Sequence, residues 1–149
     1  MLDKIVVIAA FIERNGRFLI AQRKKGVHLE LMWELPGGKL DENESEKECL
    51  RRELKEELGI DSTIGSLFYE NEYRYPNKHI FLKTYKVYIK GKIKRLTSHE
   101  RIDWISPEEI SEYGFAPADI PVLGKINEEL KSAKTKIRAK PGLALGIRN

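Results

Sequence analysis

Between Ser45 and Gly59 the chain marks both ends of a helix, and this segment narrows what the rest can become more than any other. Ser45 followed by Glu48 makes a capping box, in which each side chain meets the other residue's backbone N–H. Leu50, Leu54 and Leu58 recur at i, i+4 as an apolar stripe, and Gly59 supplies the left-handed stop. A helix with one apolar stripe has to bury it against something. The flanking sequence offers strands. Residues 5–11 (IVVIAAF) and 17–23 (RFLIAQR) are strand-like runs separated by ERNG, whose Asn15-Gly16 favours a tight hairpin. Residues 79–93 (HIFLKTYKVYIKGKI) predict a long strand, 102–106 (IDWIS) a short one, and 121–132 a closing amphipathic helix. Strands around a helix predict a mixed α/β (α+β) architecture.

At 149 residues the chain has the size of one ordinary domain. No apolar run approaches the roughly 20 residues of a membrane span. The apolar start follows Asp3 and Lys4 and ends without a small-residue cleavage site, so it is expected to be a first strand and not an export signal. Cys49 is alone, which excludes an internal disulfide and a multi-cysteine zinc site and makes a reducing cytoplasm the expected location. The formal charge of +4 arises at one end. Six of the 27 bases and none of the 23 acids lie in residues 131–149, which leaves 21 against 23, or −2, for residues 1–130. This end lacks the aromatic residues that a single-strand platform interleaves with its bases. The expectation is one compact unit over residues 1–132 and a solvated basic tail over 133–149, with neither nucleic acid nor membrane as partner.

The chemistry gathers on the Ser45 helix. With Leu50 at zero and about 100° per residue, Glu56, Glu53 and Glu57 fall near 240°, 300° and 340°. They share one sector bordering the buried stripe. Glu56 and Glu57 also fall in the last turn, where the helix dipole is negative and a stable design would place Lys or Arg. Two carboxylates about 6 Å apart repel by roughly 0.7 kcal/mol in water and about 2.8 at an effective dielectric of 20. A surface helix laced with ion pairs is one reading, and Arg52 to Glu56 would serve it. Residues 44–58 nevertheless hold six acids against four bases, with the surplus at the wrong end. A hard divalent cation, Mg²⁺ or Mn²⁺, would resolve the conflict and keep water and phosphate oxygens in its shell.

Gly38, five residues, Glu44, seven residues and then Arg52-Glu53-Leu54-Lys55-Glu56-Glu57-Leu58-Gly59-Ile60 resembles the Nudix box, G-x5-E-x7-R-E-U-x-E-E-x-G-U with U a bulky aliphatic, at every fixed position. The Trp33–Gly38 lead-in, the strand around Trp104 and the segment Phe115–Asp119 look like the MutT-type branch, so the resemblance covers about residues 4–132. It implies a Nudix fold, a mixed β-sheet between α-helices. It also implies Mg²⁺-dependent hydrolysis of nucleoside triphosphates to a monophosphate and pyrophosphate, with Mn²⁺ as a substitute. Carried over by position, Glu53, Glu56 and Glu57 would hold metal with the Gly37 carbonyl as a backbone ligand, while Arg52 and Glu44 orient the cluster. The base would be Glu53 or another glutamate. Glu100, in the expected loop before the Trp104 strand, matches a position where an extra acid often sits, and is otherwise a solvated loop acid.

Further residues extend the expected site. Arg23 resembles a phosphate-contacting arginine, beside Lys24 and Lys25 that suit an ordinary charged strand end. Gly38, with Gly37, removes side chains where backbone must approach metal or phosphate. Asp119 either caps the closing helix or, as in relatives acting on cytidine triphosphates, faces the base, where a carboxylate can accept from an exocyclic amino group. Candidate substrates are therefore CTP or dCTP and oxidised nucleotides such as 8-oxo-dGTP. A Nudix hydrolase of ADP-ribose or a nucleotide sugar is the alternative enzyme, and a non-catalytic Nudix ligand sensor or nucleic-acid-associated module is the alternative without turnover. The strand aromatics are expected in the core, His28, His79 and His99 at the surface or in loops, and Cys49 as a packed thiol. Either a monomer or a homodimer is compatible with the sequence.

Overall fold

The first strand lies at the centre of the sheet, and its sequence says why. Residues 8–12 of β1 (Asp3–Arg14) are all buried, so the run is apolar throughout instead of alternating. The computed structural model describes residues 3–139. Asn15 and Gly16, with φ of 55° and 77°, turn β1 into β2 (Arg17–Arg23) as the Asn-Gly pair predicts. Two short strands follow, β3 (Trp33–Glu34) and β4 (Gly37–Lys39), then helix α1 (Glu46–Leu58). The chain continues through β5 (Ser62–Tyr75), β6 (Lys78–Ile89) and β7 (His99–Ile105). It closes with 3-10 turns at Pro107–Glu112 and Pro117–Asp119 and helix α2 (Ile120–Ala139).

The sheet order is β3-β2-β1-β6-β5, with β4 added to β1 and β7 to β2. β1 runs parallel to β6 from Asp3 opposite Lys78 to Ile12 opposite Val87, and antiparallel to β2 and β4, so the sheet is mixed. One face buries Phe11, Phe18, Ile20 and Trp33 against Val122 and Ile126 of α2. The other buries Ile8, Ala10, Ile12 and Leu19 against Leu50, Leu54 and Leu58 of α1, the predicted stripe. The expected arrangement of helices on both sides of a mixed sheet is the one found.

α1 is capped as predicted. Ser45 Oγ accepts from Glu48 N–H at 3.1 Å, Glu48 Oε1 accepts from Ser45 N–H at 2.8 Å, and Gly59 takes φ 66° with its N–H on Lys55 O. Its C-terminal end meets a cation that spacing along the helix could not reveal. Arg95, from the loop after β6, donates to Lys55 O at 2.7 Å, which also accepts from Gly59 N–H, and to Glu56 O at 3.1 Å, bringing positive charge to the carbonyl end of the helix.

Several elements differ from expectation: β1 runs over Asp3–Arg14 instead of 5–11, and β3 and β4 were not expected as strands. β5 has no counterpart among the predicted strands. β6 stops at Ile89 instead of 93, because Gly91, with φ 81°, turns the chain toward α1. β7 starts at His99, three residues early, by pairing with Arg23 across a bulge. α2 passes Ser132 and continues to Ala139, and the remainder of the expected tail, 140–149, lies outside the described residues.

Candidate active site

Glu56, Glu53 and Glu57 of α1 are buried in the order of their angles. Glu57, nearest the stripe, is 5% exposed; the Glu53 side chain is 23% exposed and that of Glu56 64%. Desolvation therefore acts on them unequally. Burial raises the Glu53 pKa, with the charges of Glu56 and Asp41 adding to it against the opposing Arg52.

Arg52 binds the acids on the outer side. Its Nε and Nη2 meet Glu44 at 3.1 and 2.8 Å in a two-point pair, and its Nη1 meets Glu53 at 2.9 Å and Glu56 at 3.2 Å. The hydrogen bond from Arg52 and that from the Asp41 N–H bring the Glu44 pKa down to about 2. Cys49 lies beneath, fully buried and donating to Lys39 O, with its thiol pushed up to about 12 by burial and then by Glu44. It is the packed thiol expected.

Glycine makes the other wall. A Cβ on Gly38 would stand 2.2 Å from the Glu53 carboxyl carbon, and one on Gly37 2.0 Å from Ile8 O. No other residue lets β4 lie between β1 and this carboxylate.

Glu57 faces inward onto residues far away in sequence. Its oxygens accept from Thr97 N–H at 3.1 Å and Ser98 N–H at 2.8 and 2.9 Å, and Glu57 Oε2 lies 3.2 Å from His99 Nδ1. His99 Nε2 meets Glu34 Oε2 at 2.8 Å, and Glu34 also pairs with Arg23 Nη1 at 3.1 Å. Burial alone would lower the His99 pKa, but the contacts with Glu34 and Glu57 outweigh it and hold it at about 9. Burial likewise works against Glu57, yet His99 and the Ser98 N–H bring it to about 2. The surface or loop placement expected for His99 and His79 is wrong. His99 is 7% exposed on β7 and His79 9% exposed on β6, and only His28 keeps a loop position. No local pattern marks Glu34 or His99 as partners, since β3 and β7 are brought together by their common pairing with β2.

A cleft of about 380 Å³ runs from Glu53 and Glu57 to Asp119. Arg23, Gly37 and Gly38 line it too, together with Lys39 and Lys78, which were not anticipated. Asp119 ends the short 3-10 turn before α2, 6% exposed, and its Oδ2 accepts from Leu35 N–H at 2.9 Å. Burial and then the charge of Glu34 push its carboxyl well above the usual range. Glu44, Arg52 and Glu56 stand behind the Glu53 wall and not in the cleft. Glu100 sits on β7 instead of in a loop, is exposed, and is not part of the cleft lining, because successive strand residues point to opposite faces and His99 takes the inward one. A larger hollow, about 570 Å³ between the β1–β2 turn and α2, contains none of these residues.

The donors suit a hard cation. Carboxylates and a glycine-exposed backbone meet at one end of the cleft, and the raised Glu53 pKa is what a cation would reverse. Among the described residues no three His, Cys, Asp or Glu side chains close on a common point. An ion here would draw on backbone, water and phosphate oxygens as well, as Mg²⁺ does.

Residues 2–126 match the family model described as the NUDIX domain, and the chain belongs to that family. It is 40% identical over 119 residues to CTP pyrophosphohydrolase of Escherichia coli (strain K12), covering 80% of this chain and 88% of that one. It is 35% identical over 122 residues to putative 8-oxo-dGTP diphosphatase 2 of Mycobacterium tuberculosis, covering 80% and 84%. The solution structure of the DNA mismatch repair protein MutT (family Nudix hydrolase) from methicillin-resistant Staphylococcus aureus 252 superposes with a TM-score of 0.70 at 40% identity, covering 87% of this chain and 99% of that one. The chain is a Nudix hydrolase of the MutT type, a family whose members generally need divalent cations. Among the described residues no helix is long and apolar enough to cross a membrane.

Proposed function

We propose that this protein hydrolyses nucleoside triphosphates to a nucleoside monophosphate and pyrophosphate with Mg²⁺, Mn²⁺ serving as a substitute, and that it prefers cytidine nucleotides. The observation that carries this reading is one cleft with Glu53 and Glu57 at one end and Asp119 at the other. Glu53, Glu57 and the Gly37 carbonyl, all on the cleft wall, would hold the cation, joined by Glu56 once its side chain swings from Arg52 toward the cleft; the cation when bound supplies charge neutralisation on the phosphates and polarises water.

The protein's own residues divide the remaining work. Lys39, Lys78 and Arg23 present positive charge along the cleft to a polyphosphate. Glu53, raised by burial, is suited to take a proton from the attacking water. Arg52, tied to Glu44, keeps Glu53 turned toward Gly38. Asp119, with one oxygen on Leu35 N–H, can accept from the cytosine amino group and, when protonated, donate to its ring nitrogen.

A nucleotide panel assayed with Mg²⁺ at low substrate concentration tests the proposal. The expected result is monophosphate and pyrophosphate as products and the highest kcat/KM for CTP or dCTP. The resemblance to the mycobacterial relative favours a second reading, oxidised purine triphosphates, so 8-oxo-dGTP belongs in the panel. Cleavage confined to ADP-ribose or nucleotide sugars would overturn both.

A further inference from the structure

The turn that ends in Asp119 is only three residues long, Pro117–Asp119, between a bridge at Phe115 and the start of α2. A single 3-10 turn has poor hydrogen-bond geometry and little stability of its own. Here its middle residue is held from outside. Asn71 Nδ2 donates to Ala118 O at 2.9 Å, and Ala118 N–H donates to Tyr75 Oη at 3.1 Å. Asn71 and Tyr75 are four residues apart on β5, so both side chains leave the same face and close on one residue, taking the peptide groups on either side of the Ala118 Cα.

Stability alone does not explain this pair. Among the described residues Asn71 Oδ1 is buried with no partner, a cost that an apolar side chain would avoid. Tyr75 is 7% exposed and already packed edge-on against His28, a contact that phenylalanine would also make. What each polar group adds is its one bond to Ala118.

We propose that Asn71 and Tyr75 are positioning residues for nucleobase selectivity: by clamping both backbone groups of Ala118 they fix where the next side chain, Asp119, presents its carboxyl. The inference rests on the reading of Asp119 as the residue that faces the base. With one bond of the clamp gone, the turn shifts and the carboxyl loses its register with the cytosine edge. The phosphate end of the cleft has no hydrogen bond to either residue.

Tyr75→Phe, Asn71→Leu and Asp119→Ala in the full chain, assayed on CTP and UTP with Mg²⁺, test this. The readout is the ratio of kcat/KM for CTP to that for UTP, which a merely structural defect would leave in place while lowering both values. Tyr75→Phe retains the ring and is expected to fold. Asp119→Ala is expected to abolish the ratio. Tyr75→Phe and Asn71→Leu are expected to lower it roughly three- to tenfold, the size of one neutral hydrogen bond, through KM for CTP, and Tyr75→Phe to speed exchange of the Ala118 amide. Loss of the ratio in Asp119→Ala with the wild-type ratio kept in both clamp variants overturns the clamp and spares the reading beneath it. A ratio unaffected by Asp119→Ala, or near one in the wild type, removes the base-facing reading and the clamp with it.

Discussion

Glu53 lies between the backbone of Gly38 and the guanidinium of Arg52, and its replacement by glutamine keeps both neighbours while deleting the charge. Glu53→Gln is expected to lower kcat on CTP by about 10²–10⁴-fold, the usual weight of a general base, with a thermal midpoint close to wild type; near-normal turnover would remove Glu53 from the mechanism. His99 gives a prediction in pH. Despite burial its pKa is raised from 6.5 to about 9 by Glu34 and Glu57, so its contribution to stability is complete below 6.5 and is lost as pH rises through about 9. Its partner Glu57 is lowered from 4.5 to about 2, so that contribution is present above 4.5 and is lost as pH falls through about 2. Urea unfolding of the metal-free protein should show stability falling between pH 7 and 9.5, and His99→Gln should flatten that fall. An unchanged profile in the variant would contradict the ion pair. The glutamates of α1 were legible because their spacing sets their burial. His99 and Glu34 were not, because what makes them a pair is strand pairing through β2, at a separation of 65 positions in the chain.

At the scale of elements, both ends of α1 were readable because its caps and its apolar stripe are local signals. Ser45→Ala removes the acceptor for Glu48 N–H and is expected to cost about 1 kcal/mol, measured by chemical denaturation. The last turn of α1 was readable only in part. Its acidic crowding was visible, but the Arg95 that reaches its carbonyls comes from some 40 residues away. β5 shows the opposite failure. Its alternation breaks where the register shifts between Ile64 and Leu67 and again before Tyr69, and many of its side chains are polar, so neither a period of two nor an apolar run stands out. It forms because β6 offers it an edge, a fact written in another segment.

The whole molecule places its cleft where two layers meet: Glu53 and Glu57 come from the α1 layer and Asp119 from the α2 layer, across one end of the sheet. Ligands that span it bind only the folded chain. Mg²⁺ with a non-hydrolysable CTP analogue at about 100 times its Kd is expected to add about 2.7 kcal/mol to unfolding free energy, seen as a rise in Tm, and removing the cation with EDTA is expected to reverse the rise and stop turnover. Failure of the metal to alter either would count against a cation at α1. The position of β1 has a consequence for synthesis. It leaves the ribosome ahead of the other strands of this domain, and its parallel partner begins at Lys78, some 75 residues later, a delay of roughly 4–15 s at ordinary translation rates. Through that interval the apolar stretch Ile5–Ile12 has the short strand β4 and helix α1 to pack on but lacks its parallel neighbour, so a nascent chain stalled before β6 is the form in which chaperones and aggregation would compete for this protein.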